Sequence, residues 1–257
     1  MAPHDDENAS LIRRLLAAPS NPLLRWNTPL SEEHAGLLVR ACALPPGGRA
    51  LDLGCGWGEL LMRVVDSAPG ATGDGVDTDE DALARGERLA GERGLDERVR
   101  FHRSPAAEWA GQGYDVVLCV GSAHAWPGST DEALKAVRAA LRPGGVALYG
   151  DGFWAREPDT AALEGLGAER DEFGSLAGLV RRAGAAGLRP LQVTVADERE
   201  WDLFESHSQP GRAEQWARQN PGHPLRAKVL AHADRRREDY LGGYRGVLGL
   251  AYLVLGG

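Results

Sequence analysis

Long apolar runs and cysteines are both scarce in this chain of 257 residues. The longest apolar run, residues 247–255, contains Gly249 and falls well short of the roughly 18 to 20 residues that cross a bilayer. We therefore expect no membrane partner. The three cysteines, Cys42, Cys55 and Cys119, are too widely spaced for a disulfide framework or a metal site, so no metal is expected. The acidic N-terminus lacks an apolar signal core, which favours a reduced, cytoplasmic location.

Lysine is almost absent, since only Lys135 and Lys228 occur, and the net charge is −8. Proteins that bind nucleic acid usually carry a basic field, because neutralising phosphates supplies most of their non-specific affinity. The one basic run, residues 235–237, is followed by Glu238 and Asp239 and is typical of a solvated helix face. The charge therefore predicts no nucleic-acid partner.

Strand-like and helix-like segments alternate through the middle of the chain. The clearest strand is residues 114–120, which is apolar and β-branched like a buried parallel strand. Alternation at this spacing predicts an α/β fold with a doubly wound parallel sheet. Further strands are predicted at 50–53, 75–77, 99–102, 146–149, 191–195 and 247–255, and helices at 10–18, 31–43, 58–67, 79–93, 131–141, 175–186, 209–219 and 224–241. The stretch at 72–75 is atypical of a buried strand, because it holds two glycines and an acid.

A glycine loop follows the first of these strands. Glycines at such a point allow a tight turn close to a ligand, and the next helix offers free N–H donors. A pyrophosphate fingerprint needs a third glycine where this chain has Glu59, whose carboxylate would face the phosphates. The spacing acid-x-Gly-x-Gly-x-Gly instead favours a ligand that carries an ammonium group. The loop consists of Asp52, Leu53, Gly54, Cys55, Gly56, Trp57 and Gly58.

Asp77 ends the next strand, about twenty residues further on, where an acid can accept both hydroxyls of a ribose. The alternative is a turn acid, because the run of Asp77, Thr78 and Asp79 is also suited to capping a helix. The glycine loop directly before it favours ligand binding.

Residues 49–149 resemble the core of the class I S-adenosylmethionine-dependent methyltransferases. The resemblance is carried by ALDLGCGWG at 50–58, GVDTD at 75–79, YDVVL at 114–118 and LRPGG at 141–145. It implies a Rossmann-like sheet of seven strands, mostly parallel with an antiparallel last strand, and S-adenosyl-L-methionine as the cofactor. It also implies one methyltransferase domain over 1–257, with an N-terminal helical cap at 1–48, a cofactor-binding core at 49–150 and an inserted substrate cover at 196–246.

The resemblance places residues 54–58 at the methionine part of the cofactor and Asp52 at its amino group. It places Asp77 at the ribose and Thr78 and Asp79 beside the adenine. The chain departs from the family after the third strand, because Ser104 or Pro105 stands where an acid commonly contacts the adenine amino group. Ala106, the next residue, is also expected at the cofactor. The backbone there or Glu108 could replace that contact. Gly121, which follows the fourth strand, completes the expected cofactor site.

The methyl acceptor is expected at the same ends of the strands and in the inserted segment. His124 is the candidate catalytic base, because a neutral imidazole can accept a proton near pH 7, although a pocket-shaping role fits it equally. His207, beside Glu205, is a second candidate, whereas His102, His223 and His232 stand in no constellation. The chain lacks the Asn/Asp-Pro-Pro-Tyr/Phe motif of enzymes that methylate base amines or glutamine, and it lacks the cysteine set of arsenic methyltransferases.

Tryptophan is unusually frequent, with seven residues against four phenylalanines. The aromatic side chains either pack a core and a lid or wall a pocket for a flat or cationic small molecule. Tyr240 and Tyr244, four residues apart, could simply pack one helix face. The expected substrate-binding residues are Trp26, His124, Trp126, Asp151, Phe153, Trp154, Trp201, His207 and Tyr244.

These observations predict methyl transfer from S-adenosyl-L-methionine to an oxygen, nitrogen or carbon atom of a small molecule, by in-line displacement. The alternative is a protein of the same fold that binds the cofactor without transferring a methyl group, as a rearrangement catalyst or a binding module. A nicotinamide-dependent oxidoreductase is disfavoured by Glu59.

Overall fold

The computed structural model describes residues 23–128 and 130–257, so the helix expected at 10–18 lies outside the described residues. The described chain divides into two compact units. The sheet unit comprises residues 30–153, 174–196 and 249–257, and the helical unit comprises residues 23–29, 154–173 and 197–248. No helix in the described part of the chain is both long and apolar enough to span a membrane.

Among the described residues, seven strands form one sheet in the order β3-β2-β1-β4-β5-β7-β6. The pairs among β1 to β5 are parallel, and β6 pairs with β7 in the antiparallel direction. This topology confirms the predicted α/β Rossmann-like fold. The strands are β1 (Arg49–Leu53), β2 (Thr72–Asp77), β3 (Val99–Arg103), β4 (Tyr114–Val120), β5 (Leu141–Trp154), β6 (Arg189–Val195) and β7 (Leu248–Gly256).

Nine α-helices are described, and the first of them begins where the sequence predicts. Ser31 caps it, with its hydroxyl accepting a hydrogen bond from the backbone N–H of His34 at 3.2 Å. The helices are α1 (Glu32–Cys42), α2 (Glu59–Asp66), α3 (Glu80–Glu92), α4 (Thr130–Ala140), α5 (Thr160–Leu166), α6 (Leu176–Ala185), α7 (Glu198–His207), α8 (Gln209–Gln219) and α9 (Arg226–Glu238). Short 3-10 turns occupy Ala106–Glu108 and Ala123–Ala125, and a π-helix occupies Asp239–Tyr244.

The atypical composition of β2 has a packing explanation. A Cβ atom on Gly73 would lie 2.8 Å from side-chain atoms of Leu61 and Val65, so helix α2 packs directly on the backbone of the strand. The Asp74 carboxylate is bonded through both of its oxygens. Its Oδ2 accepts a hydrogen bond from the Tyr114 hydroxyl at 3.0 Å, and its Oδ1 lies 2.9 Å from His102 Nε2. The prediction that His102 stands in no constellation is therefore wrong.

Strand β5 is longer than predicted and includes the Pro-Gly-Gly turn. Leu141 pairs with Tyr114 and Val146 pairs with Val116, so four residues bulge out opposite one. Gly144 has a positive φ of 74°, and a Cβ on Gly145 would lie 3.0 Å from the Tyr114 carbonyl oxygen. The two glycines therefore allow the ladder to continue across a turn that side chains would interrupt.

The helical unit holds two small apolar clusters. One joins Ala162, Tyr240 and Tyr244, and the other joins Ala213, Val229 and Ala233. Helices α8 and α9 correspond to predicted helices, although α9 ends in the π-helix. Helices α5 and α7 were not predicted.

Candidate functional site

The glycine loop runs from the end of β1 into α2 and is fastened to β2. The N–H groups of Gly54 and Cys55 both donate to the Val76 carbonyl, at 2.8 and 3.0 Å. Gly54, Gly56 and Gly58 all have positive φ, which favours glycine. A Cβ on Gly54 would lie 2.3 Å from Ser122 Cβ, whereas a Cβ on Gly56 would meet no atom within 4 Å. The loop is therefore packed at its first glycine and open at its second.

Asp77 connects this loop to the turn after β2. Its Oδ2 accepts from the Gly56 N–H at 2.7 Å, and its Oδ1 accepts from the Asp79 N–H at 2.9 Å. Each carboxylate oxygen can accept a second hydrogen bond, so both remain available to a ligand hydroxyl. The two roles considered for Asp77, in the turn and at a ligand, are therefore compatible.

Asp52 is buried at the end of β1, with 6 % of its surface exposed. Burial, and then the nearby charge of Asp77, raise the pKa of this carboxyl to about 7. Its side chain makes no hydrogen bond with any residue in the described part of the chain. A buried acid without a donor favours a ligand that supplies a positive charge or an N–H group, such as an ammonium group.

The Asp52 carboxyl makes stability depend on pH. Its pKa is 3.8 in the reference state and about 7 in the folded protein, so the folded state holds the extra proton. The free energy of unfolding is therefore expected to fall as the pH rises from about 4 to 7, by up to about 4 kcal/mol at about 1.4 kcal/mol per pKa unit. Asp52→Asn should remove this loss, which urea titrations at pH 5 and pH 8 would measure. The exposed Asp96→Asn is the control, and an unchanged pH dependence in Asp52→Asn would contradict the assignment.

Glu59, which replaces the third glycine of the pyrophosphate fingerprint, forms ion pairs within the protein. It is buried at the first turn of α2, and its carboxylate pairs with Arg63 Nε at 3.0 Å and with an Arg93 guanidinium nitrogen at 2.6 Å. The carboxylate is thus neutralised by two arginines, from α2 and from the end of α3. The argument from sequence that its negative charge opposes a pyrophosphate is therefore weaker than expected, because that charge is compensated within the protein.

The region expected around the adenine lacks the family's acid after β3, but it contains Asp79 after β2. The Ser104 N–H donates to the Asp77 carbonyl at 3.0 Å, Ala106 is buried, and Pro105 and Glu108 are exposed. Asp79 caps α3 through its Oδ1, while its buried Oδ2 has no partner among the described residues. That oxygen is a free acceptor beside Asp77. The exposed Thr78 lies between them in sequence.

Three further loop residues were expected at the cofactor. The Trp57 ring is buried and lies under the Arg85 guanidinium, 4.0 Å from the ring centroid. The Cys55 thiol donates to the Gly56 carbonyl at 3.4 Å, and burial raises its pKa. Gly121 has a positive φ of 71°, and no atom lies within 4 Å of the position of its Cβ. Space is therefore free beside both Gly121 and Gly56, whereas the Trp57 ring is already covered by the Arg85 guanidinium.

The acceptor candidates of the sheet unit differ in exposure. His124 is exposed on a 3-10 turn, and its side chain bonds to no described residue. Trp126 and Phe153 are buried in the main apolar core. Asp151 accepts from Thr130 at 2.8 Å and from the Tyr149 hydroxyl at 2.9 Å, so it connects β5 to the start of α4.

In the helical unit, Trp26 and Tyr244 are buried and Trp201 is half-buried. Trp154 Nε1 donates to the Arg170 carbonyl at 2.9 Å. His207 is exposed and its Nδ1 lies 2.8 Å from the Leu203 carbonyl oxygen of its own helix. Trp201 and Tyr244 pack in the same cluster.

Sequence reasoning missed Ser122 and Arg85. The buried Ser122 hydroxyl donates to the Leu53 carbonyl at 2.6 Å and thereby joins the end of β1 to the residues after β4. Neither a serine after a strand nor an arginine on a helix is a signal in a single sequence, because both contacts depend on the tertiary fold.

Comparison with known proteins agrees with this geometry. Residues 51–147 match the family model described as "Methyltransferase domain". The chain is 32% identical over 222 residues to the uncharacterized protein YjhP of Escherichia coli, covering 84% of this chain and 88% of that protein. It is also 32% identical over 189 residues to 27-O-demethylrifamycin SV methyltransferase of Amycolatopsis mediterranei, covering 73% and 62% of the two chains.

The fold has close counterparts among solved structures. An S-adenosylmethionine-dependent methyltransferase from Geobacter sulfurreducens, in complex with S-adenosyl-L-homocysteine, superposes with a TM-score of 0.80 at 29% identity, covering 90% of this chain and 93% of that one. The shared sheet, the matched family model and the similarity over most of the chain's length lead to one conclusion. The chain belongs to the class I S-adenosylmethionine-dependent methyltransferases.

Proposed function

We propose that this protein transfers the methyl group of S-adenosyl-L-methionine to a small-molecule acceptor. The observation that carries the proposal is the pairing of two acids at adjacent strand ends. Asp77 fastens the glycine loop and keeps acceptor capacity, while Asp52 is buried without a donor. One acid suits ribose hydroxyls and the other suits an ammonium group, and S-adenosyl-L-methionine carries both.

The residues present fit this cofactor. Gly56 and Gly121 leave open space where a side chain would otherwise stand, and Asp79 Oδ2 offers an unused acceptor. We assign the methionine part to residues 54–58 and the amino group to Asp52. The ribose belongs at Asp77, and the adenine at Thr78, Asp79 and the backbone of residues 104–106. When bound, the cofactor supplies an electrophilic methyl group on a sulfonium.

The remaining work of the chain is to hold the acceptor in line and to exclude water. Where the acceptor must lose a proton, His124 is the proposed base, because its side chain is exposed and bonds to no described residue. We keep residues 196–246 as the proposed substrate cover within a single methyltransferase domain. The proposed acceptor contacts are Trp26, Trp126, Asp151, Phe153, Trp154, Trp201, His207 and Tyr244.

A small-molecule acceptor is supported by the relative from Amycolatopsis mediterranei, whose name specifies a demethylrifamycin as its substrate. The negative net charge of this chain also opposes a nucleic-acid acceptor.

Calorimetric titration with S-adenosylmethionine, S-adenosylhomocysteine and NAD tests the proposal. We expect both sulfur nucleosides to bind and NAD to give no heat. A mass-spectrometric screen of small molecules for a gain of one methyl group then tests turnover. Binding of NAD alone, or of none of the three, would contradict the proposed cofactor. Cofactor binding without any methylated product across the screen would favour the non-methylating alternative.

A further inference from the structure

The helical unit contains an aromatic cluster with polar groups at its centre. Helix α7 brings Trp201 and Glu205 to one face, because residues four apart are neighbours on a helix. The π-helix contributes Tyr240 and Tyr244, whose ring centroids lie 5.3 Å apart. These aromatic rings pack with Ala162, Leu166, Val247 and Leu248. Glu205 is buried, and the Arg236 guanidinium near it donates to the Tyr244 hydroxyl at 3.5 Å.

The π-helix is held in place by contacts between backbones. A Cβ on Gly165 would lie 2.8 Å from the Asp239 carbonyl oxygen, and a Cβ on Gly243 would lie 2.8 Å from the Ala161 carbonyl oxygen. Helix α5 and the π-helix thus touch through glycines at two points. π-helical turns are rare and are found frequently at functional sites.

Two polar groups in this cluster keep unused hydrogen-bonding capacity. Trp201 Nε1 is buried and has no acceptor in the described part of the chain. Glu205 is 9 % exposed, and its carboxyl lies near the Tyr244 hydroxyl and keeps the capacity to form hydrogen bonds. Burial raises the pKa of Glu205, against the smaller opposing effects of Tyr244 and of the Arg236 charge. An unsatisfied buried polar group is costly, and native proteins seldom keep one without a reason.

The two groups together define the chemistry of a matching ligand. An indole N–H can only donate, so the ligand must present an acceptor to Trp201. A carboxyl accepts hydrogen bonds when ionised and can also donate one when protonated. A hydroxyl group can donate to the ionised form and accept from the protonated form. An aromatic and aliphatic wall favours an apolar body behind that hydroxyl.

We propose that the cluster of Trp201, Glu205 and Tyr244 binds the hydroxyl group of a phenol or another apolar alcohol. Trp201 Nε1 donates to the hydroxyl oxygen, and Glu205 forms the second hydrogen bond to the same group. This inference goes beyond the proposed function, because the cluster belongs to the helical unit and the residues assigned to the cofactor belong to the sheet unit.

The test compares phenol with anisole and toluene on the full chain. The indole ¹H–¹⁵N resonance of Trp201, assigned from its disappearance in Trp201→Phe, reports contact at the cluster. We expect phenol to shift this resonance at concentrations at least about tenfold lower than anisole or toluene, because a site built to bond a hydroxyl rejects analogues without one. Phenol affinity, measured by calorimetry, is expected to fall by about tenfold in Trp201→Phe and in Glu205→Leu. Trp216→Phe, which alters the separate cluster formed by α8 and α9, should leave it unchanged.

Anisole binding as tightly as phenol would overturn the proposal, as would a Trp201 resonance that phenol leaves unmoved. Unchanged phenol affinity in both Trp201→Phe and Glu205→Leu would do the same, and the second variant keeps the test usable if the first does not fold. S-adenosylmethionine is titrated into the same samples. Loss of phenol binding with cofactor binding intact contradicts this inference alone, whereas absent cofactor binding contradicts the proposed function.

Discussion

Asp77→Ala is expected to weaken binding of S-adenosylmethionine and of S-adenosylhomocysteine by about a hundredfold or more. A hydrogen bond to a charged group contributes about 1.5–3 kcal/mol, and a ribose offers two hydroxyls to this carboxylate. The substitution also removes the acceptors of the Gly56 and Asp79 N–H groups, so the loop and the following turn lose their common support. Isothermal titration calorimetry of the variant at pH 7.5 measures the effect.

Two control variants separate these causes. Asp77→Asn keeps one acceptor oxygen and is expected to lose less affinity than Asp77→Ala. Asp81→Ala removes an exposed acid from the first turn of α3 and should bind both nucleosides normally. Wild-type affinity in Asp77→Ala would show that the ribose is held elsewhere, and the assignment of Asp77 would have to be abandoned.

Gly54→Ala is expected to cost more stability than Gly56→Ala, whereas Gly56→Ala is expected to cost more cofactor affinity. At Gly54 the new Cβ would lie 2.3 Å from Ser122 Cβ, and φ is +79°. Left-handed backbone costs about 1–2 kcal/mol and overpacking costs about 1–3 kcal/mol more, so we expect a loss of about 3–4 kcal/mol in the free energy of unfolding. At Gly56, with φ +54° and open space around the Cβ, only about 1–2 kcal/mol should be lost.

Among the molecules that remain folded, Gly56→Ala should bind the cofactor more weakly than Gly54→Ala. The open space at Gly56 is where we place the methionine part of the cofactor, so a methyl group there should reduce affinity at least tenfold. Urea denaturation and calorimetry on both variants give the two quantities. Equal stability losses at the two positions would contradict the packing contrast, and normal affinity in Gly56→Ala would move the cofactor away from this glycine.

The sequence predicted a helix or strand correctly where a few neighbouring residues carried a strong signal for it. Strand β4 is mostly apolar and holds three valines, and α1 begins at a serine cap, so both are encoded in a few neighbouring residues. Strand β2 could be placed only from the residues after it, because its glycines are required by Leu61 and Val65 of another element. Such a requirement depends on tertiary contact and is invisible in a local pattern.

The missed helices differ in what the sequence could have offered. Helix α7 starts with a capping box of Asp197 and Glu200, which is a signal present in the local sequence. Helix α5 spans only Thr160–Leu166, and its close approach to the π-helix through Gly165 depends on the folded unit. A π-helix itself has no sequence signature, since its extra residue per turn is fixed by packing.

The candidate site was largely predictable on the cofactor side, because Asp52, the glycines and Asp77 all lie within a few residues of predicted strand ends. Ligands of such sheets bind beyond the carboxyl ends of the strands, so topology alone gathers these residues. The aromatic cluster of the helical unit could not be assembled in the same way. Trp201 packs with Tyr244, which lies about forty residues further along the chain in the π-helix, so their contact depends on the tertiary fold.

The order of the strands has a consequence for biosynthesis. Strand β7 lies between β5 and β6 and is buried along most of its length, yet it is the last of the seven strands to leave the ribosome. Until it emerges, β6 has no partner in the sheet and the apolar edge of β5 stays open. The nascent chain must therefore carry an incomplete sheet with exposed apolar surface until β7 has emerged, and this is the interval in which chaperone capture should be strongest.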